Sequence, residues 1–196
     1  MTFRRSTERL ERHFKQVLEE LNIDLQVGEL KNTPARMARS WLELTRSYVL
    51  QEPKVMTFKM ENVQILGIHS LHYFSLCEHH GLPFEGEVCV MYVPNEKLIG
   101  LSKPARLVSY YSHFLMIQER FTHQVLEAIK KAADPVAIYV ISRGRHLCSA
   151  MRGVESREHE YVVEDMWFNN VASKETWEQR LRNSEKLSHE RVYTSY

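Results

Sequence analysis

Cys77-Glu78-His79-His80-Gly81-Leu82-Pro83-Phe84-Glu85-Gly86-Glu87-Val88-Cys89-Val90-Met91-Tyr92-Val93 is a turn crowded with metal-binding side chains that runs straight into a strand. Residues 84–93 are rich in valine and aromatics and stop at Pro94-Asn95, which predicts a long strand with a turn behind it. Residues 63–68 also read as a strand, and residues 67–74 continue towards the turn, so the turn joins a hairpin. Further along, Ser102-Lys103-Pro104 opens a helical region carrying Leu107, Val108, Tyr111, Phe114 and Leu115. It continues with a break through Phe121, Val125 and Ile129 to Asp134-Pro135, where proline disfavours further helix.

Residues 136–141 are a continuous apolar strand, Arg143-Gly144 suggests a turn, and residues 146–152 read as extended, with Gly153 at their end. Residues 161–168 form a last strand, and 173–196 a polar helix (Trp177, Leu181) with an exposed end. Upstream, Leu10, Phe14, Val17, Leu18 and Leu21 recur at helical spacing. A second helix is predicted from Thr33 as N-cap and Pro34 as first helical residue, with the stripe Met37, Trp41, Leu44 and Tyr48. Strand hairpins alternating with helices indicate an α+β fold with an antiparallel sheet. The expected division is a helical region over residues 1–60 and a sheet-containing domain over 61–196.

Lys+Arg 26 against Asp+Glu 25 gives a net charge of +1, so no global field selects nucleic acid or a membrane surface. No stretch approaches the roughly 18 apolar residues of a membrane span. The first residues are charged and helical in pattern, unlike a signal peptide with its apolar middle. The 3 cysteines are an odd number, which argues against a disulfide framework and for a reducing, cytoplasmic setting.

The turn is answered by His146-Leu147-Cys148. Two cysteines and a histidine with an open fourth position are the pattern of a catalytic Zn2+ site, whereas a closed four-ligand set is structural. Each segment alone is compatible with buried cysteine and ordinary histidine; together they favour a metal. Cys89, alternating within its strand with no ligand type nearby, reads as core. Bound zinc lowers the pKa of water to about 7, and imidazoles beside it can move protons. The two-histidine helix of zinc proteases and the nucleobase-deaminase signature are absent.

Basic residues gather in three places: Ser102-Lys103-x-x-Arg106 at a helix start, Arg36 and Arg39 one turn apart, and Arg152 after the second metal segment. Each alone reads as a solvated surface charge; helix N-termini favour anions and arginine forks grip phosphate, so a fold that brings them together would imply a polyphosphate substrate. Gln118-Glu119-Arg120 interrupts an apolar helical region; it is a solvent-facing step, or Glu119 accepts the paired N–H donors of a guanine edge.

Several segments in order resemble the GTP cyclohydrolase I family. They are Asn32-Thr33-Pro34-Ala35-Arg36 through Trp41, Ser75-Leu76-Cys77-Glu78-His79-His80 with Leu82-Pro83-Phe84, Gly100-Leu101-Ser102-Lys103 with Ala105-Arg106, Gln118-Glu119-Arg120 with Thr122, and His146, Cys148 and Met151-Arg152-Gly153-Val154. The resemblance implies a T-fold whose subunits close into a ring, typically a homodecamer of two pentamers with active sites at subunit boundaries. It makes Cys77, His80 and Cys148 the zinc ligands, with activated water attacking C8 of the guanine. His146 matches the main proton donor to the opening ring, and His79 a second histidine near ribose and zinc. Glu119, with Gln118, would anchor the guanine. Arg36, Arg39, Lys103, Arg106 and Arg152 would hold the triphosphate, with Ser102 near the phosphates or ribose. The implied reaction takes GTP to formate and 7,8-dihydroneopterin triphosphate, the first step towards tetrahydrofolate and other pterins.

The chain departs from the family after Val154. A serine/threonine-rich stretch is usual there, whereas residues 155–168 contain no threonine. His69 and His72 are additional, and Gly81 replaces what is often a larger residue. A relative that opens another purine nucleotide, or stops at an early ring-opened intermediate, is the alternative reading. A non-catalytic zinc protein, with His79 or His69 closing the site, is the reading from another class.

Overall fold

The computed structural model describes residues 3–59, 66–169 and 174–193. The chain divides into two compact units, Met1–Val49 and Leu50–Tyr196. In the first, helices α1 (Phe3–Glu20) and α2 (Thr33–Leu44) pack together, with Phe14 against Trp41 at 6.0 Å between ring centroids. Asn32 rather than Thr33 is the N-cap of α2, one residue before the expected start, and it makes no side-chain cap. Thr33 is the first helical residue and Pro34, whose missing N–H costs nothing there, is the second.

The second unit holds strands β1 (Thr57–Lys59), β2 (Leu66–Cys77), β3 (Pro83–Val93) and β4 (Lys97–Ile99), then helix α3 (Ser102–Tyr111), strand β5 (Leu115–Met116) and helix α4 (Gln118–Ala133). Strand β6 (Ala137–His146), the one-turn helix α5 (Leu147–Ala150), strand β7 (Tyr161–Phe168) and helix α6 (Lys174–Tyr193) complete it. The main sheet has the order β5-β2-β3-β6-β7, antiparallel except for the short parallel pairing of β5 with β2. This is the α+β T-fold arrangement, with α3 and α4 paired on one face. Of the strand expected over residues 63–68, positions 63–65 lie outside the described residues, as do 173 and 194–196 of the tail.

Both sheet faces are covered, which is why β3 and β6 read as apolar runs without alternation. Val88, Val90, Tyr92, Ile138 and Val140 face the core beneath α3 and α4, with Leu107, Phe121, Val125 and Ile129 from those helices. Cys89, Met91, Val93, Ala137, Tyr139 and Ile141 face the other way, onto Leu181 and Trp177 of α6. Each large apolar side chain fully buried here contributes roughly 1.5–3 kcal/mol. Cys89 is core, as expected, and burial pushes its thiol pKa up to about 12.

Two expectations around His146 are corrected. Arg143-Gly144 is not a turn: β6 runs through it to His146, paired residue for residue with β3 from Phe84↔His146 to Val93↔Ala137. Glycine stands at 144 because a Cβ there would lie 2.6 Å from Tyr73 Oη and 2.8 Å from Gln118 Oε1. Nor is 146–152 extended, since Leu147–Ala150 forms α5, closed by Met151 N–H donating to Leu147 O at 3.0 Å. His146 and Cys148 therefore do not share a strand face.

Candidate metal centre and its cavity

The Cys77–Gly81 turn is a tight backbone loop. Gly81 and His80 N–H both donate to Cys77 O, at 2.8 and 3.3 Å, and Cys77 N–H donates to Leu82 O at 2.8 Å. The turn requires a left-handed residue, which Gly81 supplies at φ 64. Strand β5 ties it to the start of α4, through the Cys77↔Met116 pairing and the Glu78 N–H bond to Met116 O at 3.1 Å. Arg120 adds a fork onto Glu78, with Nη1 on Oε2 and Nη2 on Oε1 at 3.3 Å. The same short span thus brings the turn, Gln118 and Glu119 together.

Cys77 is buried and His79 and His80 are exposed; their ligand atoms all lie within 4.8 Å of one another. Cys77 Sγ is 3.6 Å from His80 Nδ1 and 3.8 Å from His79 Nδ1. Cys148, delivered by α5, interacts with the Cys77 thiol; burial first, then that neighbour, pushes its pKa up. A cation between the two sulfurs would act in the opposite sense by favouring thiolates. Two thiols with imidazole nitrogens in reach are a soft, borderline donor set that fits Zn2+.

Strand pairing places His146 opposite Phe84, and its ring stacks on Phe84 with centroids 4.5 Å apart and 5° between planes. Tyr161 meets the ring edge-on at 5.0 Å. Burial lowers the His146 pKa, and the Glu119 carboxylate nearby works against that. A cavity of about 300 Å³ is lined by Cys77, His79, His80, Cys148, Glu119 and His146, with Gln118, Ile117 and Ser149 and, from β7, Tyr161, Val162 and Val163.

Glu119 is exposed at the cavity, whereas Gln118 is 2% exposed and its side chain is engaged by the protein itself. Ser102, Lys103 and Arg106 on α3, and Arg152 beyond α5, do not line the cavity. Arg36 and Arg39 are exposed on α2 in the other unit, with Arg36 held by Glu29 at 3.0 Å. His72 pairs with Glu87 across β3 at 3.5 Å, and the His69 side chain lies outside the described residues. Sequence reading missed Phe84 and Tyr161 as neighbours of His146. Phe84 and Tyr161 are strand-end residues whose place depends on β3–β6–β7 register.

Comparison with known proteins bears on the whole chain. Residues 10–184 match the family model described as GTP cyclohydrolase I. A curated relative from Bacteroides fragilis (strain YCH46), named GTP cyclohydrolase 1, is 36% identical over 180 residues, covering 89% of this chain and 93% of its own. Proteins of the same name from Pseudoalteromonas atlantica and Alkalilimnicola ehrlichii are each 38% identical, covering 80% and 79% of this chain and 87% and 85% of theirs. Among solved structures, an archaeosine synthase QueF-Like in the apo form superposes with a TM-score of 0.45 and 17% identity, over 54% of this chain and 95% of that one.

Proposed function

Because the chain belongs to the GTP cyclohydrolase I family of hydrolases, we propose that it opens the guanine ring of GTP at C8, releases that carbon as formate and forms 7,8-dihydroneopterin triphosphate. The observation that supports this most is the meeting of Cys77, His80, Cys148, His146 and Glu119 on one cavity. Cys77, His80 and Cys148 would hold Zn2+, which when bound supplies Lewis acidity and water activated near neutral pH. Glu119 accepts the N1–H and N2–H donors of the guanine, two charge-assisted hydrogen bonds that orient the base. His146, stacked on Phe84, holds and moves a proton at the opening imidazole ring, and His79 serves near the ribose. Ile117, Val162 and Val163 line part of the cavity with apolar surface that limits water.

On this reading Ser102, Lys103, Arg106, Arg152, Arg36 and Arg39 hold the triphosphate. The first four do not line the cavity within one chain, so the reading calls for association, as a homodecamer of two pentamers. It also places the enzyme in the cytoplasm at the head of pterin and tetrahydrofolate synthesis, with the helical region (1–60) preceding the catalytic domain (61–196). A second reading, a diverged enzyme for a related purine nucleotide or one that stops after ring opening, is favoured by one observation. Tyr161, Val162 and Val163 of the atypical segment form part of the cavity wall.

Zinc-loaded protein incubated with GTP, followed at the pterin absorbance with formate assayed in the same tube, decides between them. Pterin and formate in equal amounts support the first reading. Formate without pterin supports early arrest, and neither product from GTP, with one from another purine triphosphate, supports the altered substrate.

A further inference from the structure

Behind His146 lies a buried polar chain. Gln118, Thr122 and Ser142 are 2%, 0% and 0% exposed. Thr122 Oγ1–H donates to Gln118 O at 2.7 Å, as a carbonyl can only accept. The Ser142 hydroxyl, 2.7 Å from Thr122 Oγ1, therefore donates to it, leaving Ser142 Oγ as an acceptor. Gln118 Nε2 faces three acceptors, Ser142 Oγ at 3.0 Å, Ser142 O at 3.1 Å and Tyr161 O at 2.9 Å. Flipping the amide would turn its oxygen onto two carbonyl oxygens, so the orientation is fixed by the network. Gln118 Oε1 then points at His146 Nε2, 2.9 Å away. An acceptor-only oxygen at that distance requires a hydrogen on Nε2.

We propose that Gln118 is a positioning residue for His146 and not a contact to the guanine, and that it holds the neutral ring as the Nε2–H tautomer, leaving Nδ1 as the nitrogen without a hydrogen. The side-chain donors of Gln118 are committed to Ser142 and Tyr161, and its oxygen to His146, so Glu119 alone reads the purine edge. Gly144 belongs to the same device: a Cβ there would fall 2.8 Å from Gln118 Oε1. The carbonyl that closes the network comes from Tyr161, the first residue of β7, so the atypical segment reaches His146 through its backbone as well as its ring. The role of His146 in catalysis rests on the function proposed above; the tautomer does not.

Two measurements test this. In the first, zinc-loaded protein labelled with 15N-histidine is studied by magic-angle-spinning NMR, with His146 assigned by difference against His146→Gln. A neutral ring protonated at Nε2 is expected, and a ring protonated at Nδ1 overturns the proposal. In the second, kcat and KM for GTP are compared across Gln118→Met, Ser142→Ala and wild type. Positioning predicts that Gln118→Met lowers kcat by about 10- to 100-fold with KM within about twofold, and that Ser142→Ala, remote from substrate, lowers kcat in the same sense by less. A KM raised by more than about fivefold in Gln118→Met with kcat retained restores the guanine contact and overturns it. Should wild type make neither pterin nor formate, the functional reading fails while the NMR assignment still decides the tautomer.

Discussion

His79 and His80 lie almost equally near the Cys77 sulfur, at 3.8 and 3.6 Å, so distance alone does not divide ligand from proton carrier. On the proposed reading Cys77, His80 and Cys148 would make a three-ligand set with one position open. His79→Ala is accordingly expected to keep about one zinc per chain while losing turnover, whereas Cys77→Ala, His80→Ala or Cys148→Ala loses the metal, as read by elemental analysis after gel filtration. Zinc lost from His79→Ala as well would instead mark a closed structural site. Glu119 offers a second residue-scale test. Its side chain is exposed, so Glu119→Ala should fold normally. On the proposed reading it would remove two charge-assisted bonds to the base, each worth about 1.5–3 kcal/mol, so kcat/KM for GTP should fall by at least about 100-fold with Tm unchanged. Steady-state kinetics beside a thermal melt separates the two effects. The side chains that gather at this cavity were legible in the sequence because thiols and imidazoles announce themselves by type. The neighbours that orient them are ordinary residues, Phe84, Thr122, Ser142 and Tyr161, whose roles come from where the strands put them.

Strand β6 shows how a local signal misleads when a tertiary contact decides the residue. Arg143-Gly144 carries the composition of a turn, yet the glycine is there because Tyr73 Oη and Gln118 Oε1 occupy the space of a side chain. Gly144→Ala should therefore cost about 1–3 kcal/mol, a loss of roughly 2–12 °C in Tm, and should disturb His146 with it. The same substitution in an exposed turn would do neither. Helix α6 makes the complementary case. Its mostly polar pattern carries two apolar side chains four residues apart, Trp177 and Leu181, without indicating what they pack on. Leu181 is fully buried against the β3–β6 face, and Glu185, 5% exposed, meets Arg143 at 2.6 Å. Leu181→Ala is expected to destabilise the second unit by about 2–5 kcal/mol, measurable by denaturant unfolding, while leaving zinc content at the opposite face intact. By contrast α1, β3, α4 and β7 were readable, because each carries its own period or its own stop signal.

At the scale of the molecule, the open ends of the sheet matter most. The strand order ends at β5, two residues long, and at β7, eight residues long, so β7 presents an unpaired row of backbone donors and acceptors in the sheet as described. Exposed long edges are templates for pairing with another copy, and ring closure removes them. Tyr161 and Val162 sit exposed at the head of that strand and also border the cavity. Lys103 and Arg106, which the phosphate reading requires, are elsewhere on α3. Both facts agree with the proposal that a neighbouring subunit completes the site, which here was an implication of the family resemblance and not of any pattern in the residues themselves. On the proposed decamer, native mass spectrometry of the zinc-loaded protein should give ten copies. Mixing settles whether copies share a site. A Lys103→Ala/Arg106→Ala chain and a His146→Ala chain, each inactive alone, should regain GTP turnover when unfolded and refolded together, since some mixed boundaries then carry one intact half from each. Activity that stays absent in verified mixed rings would place the phosphate-binding side chains and His146 in the same subunit.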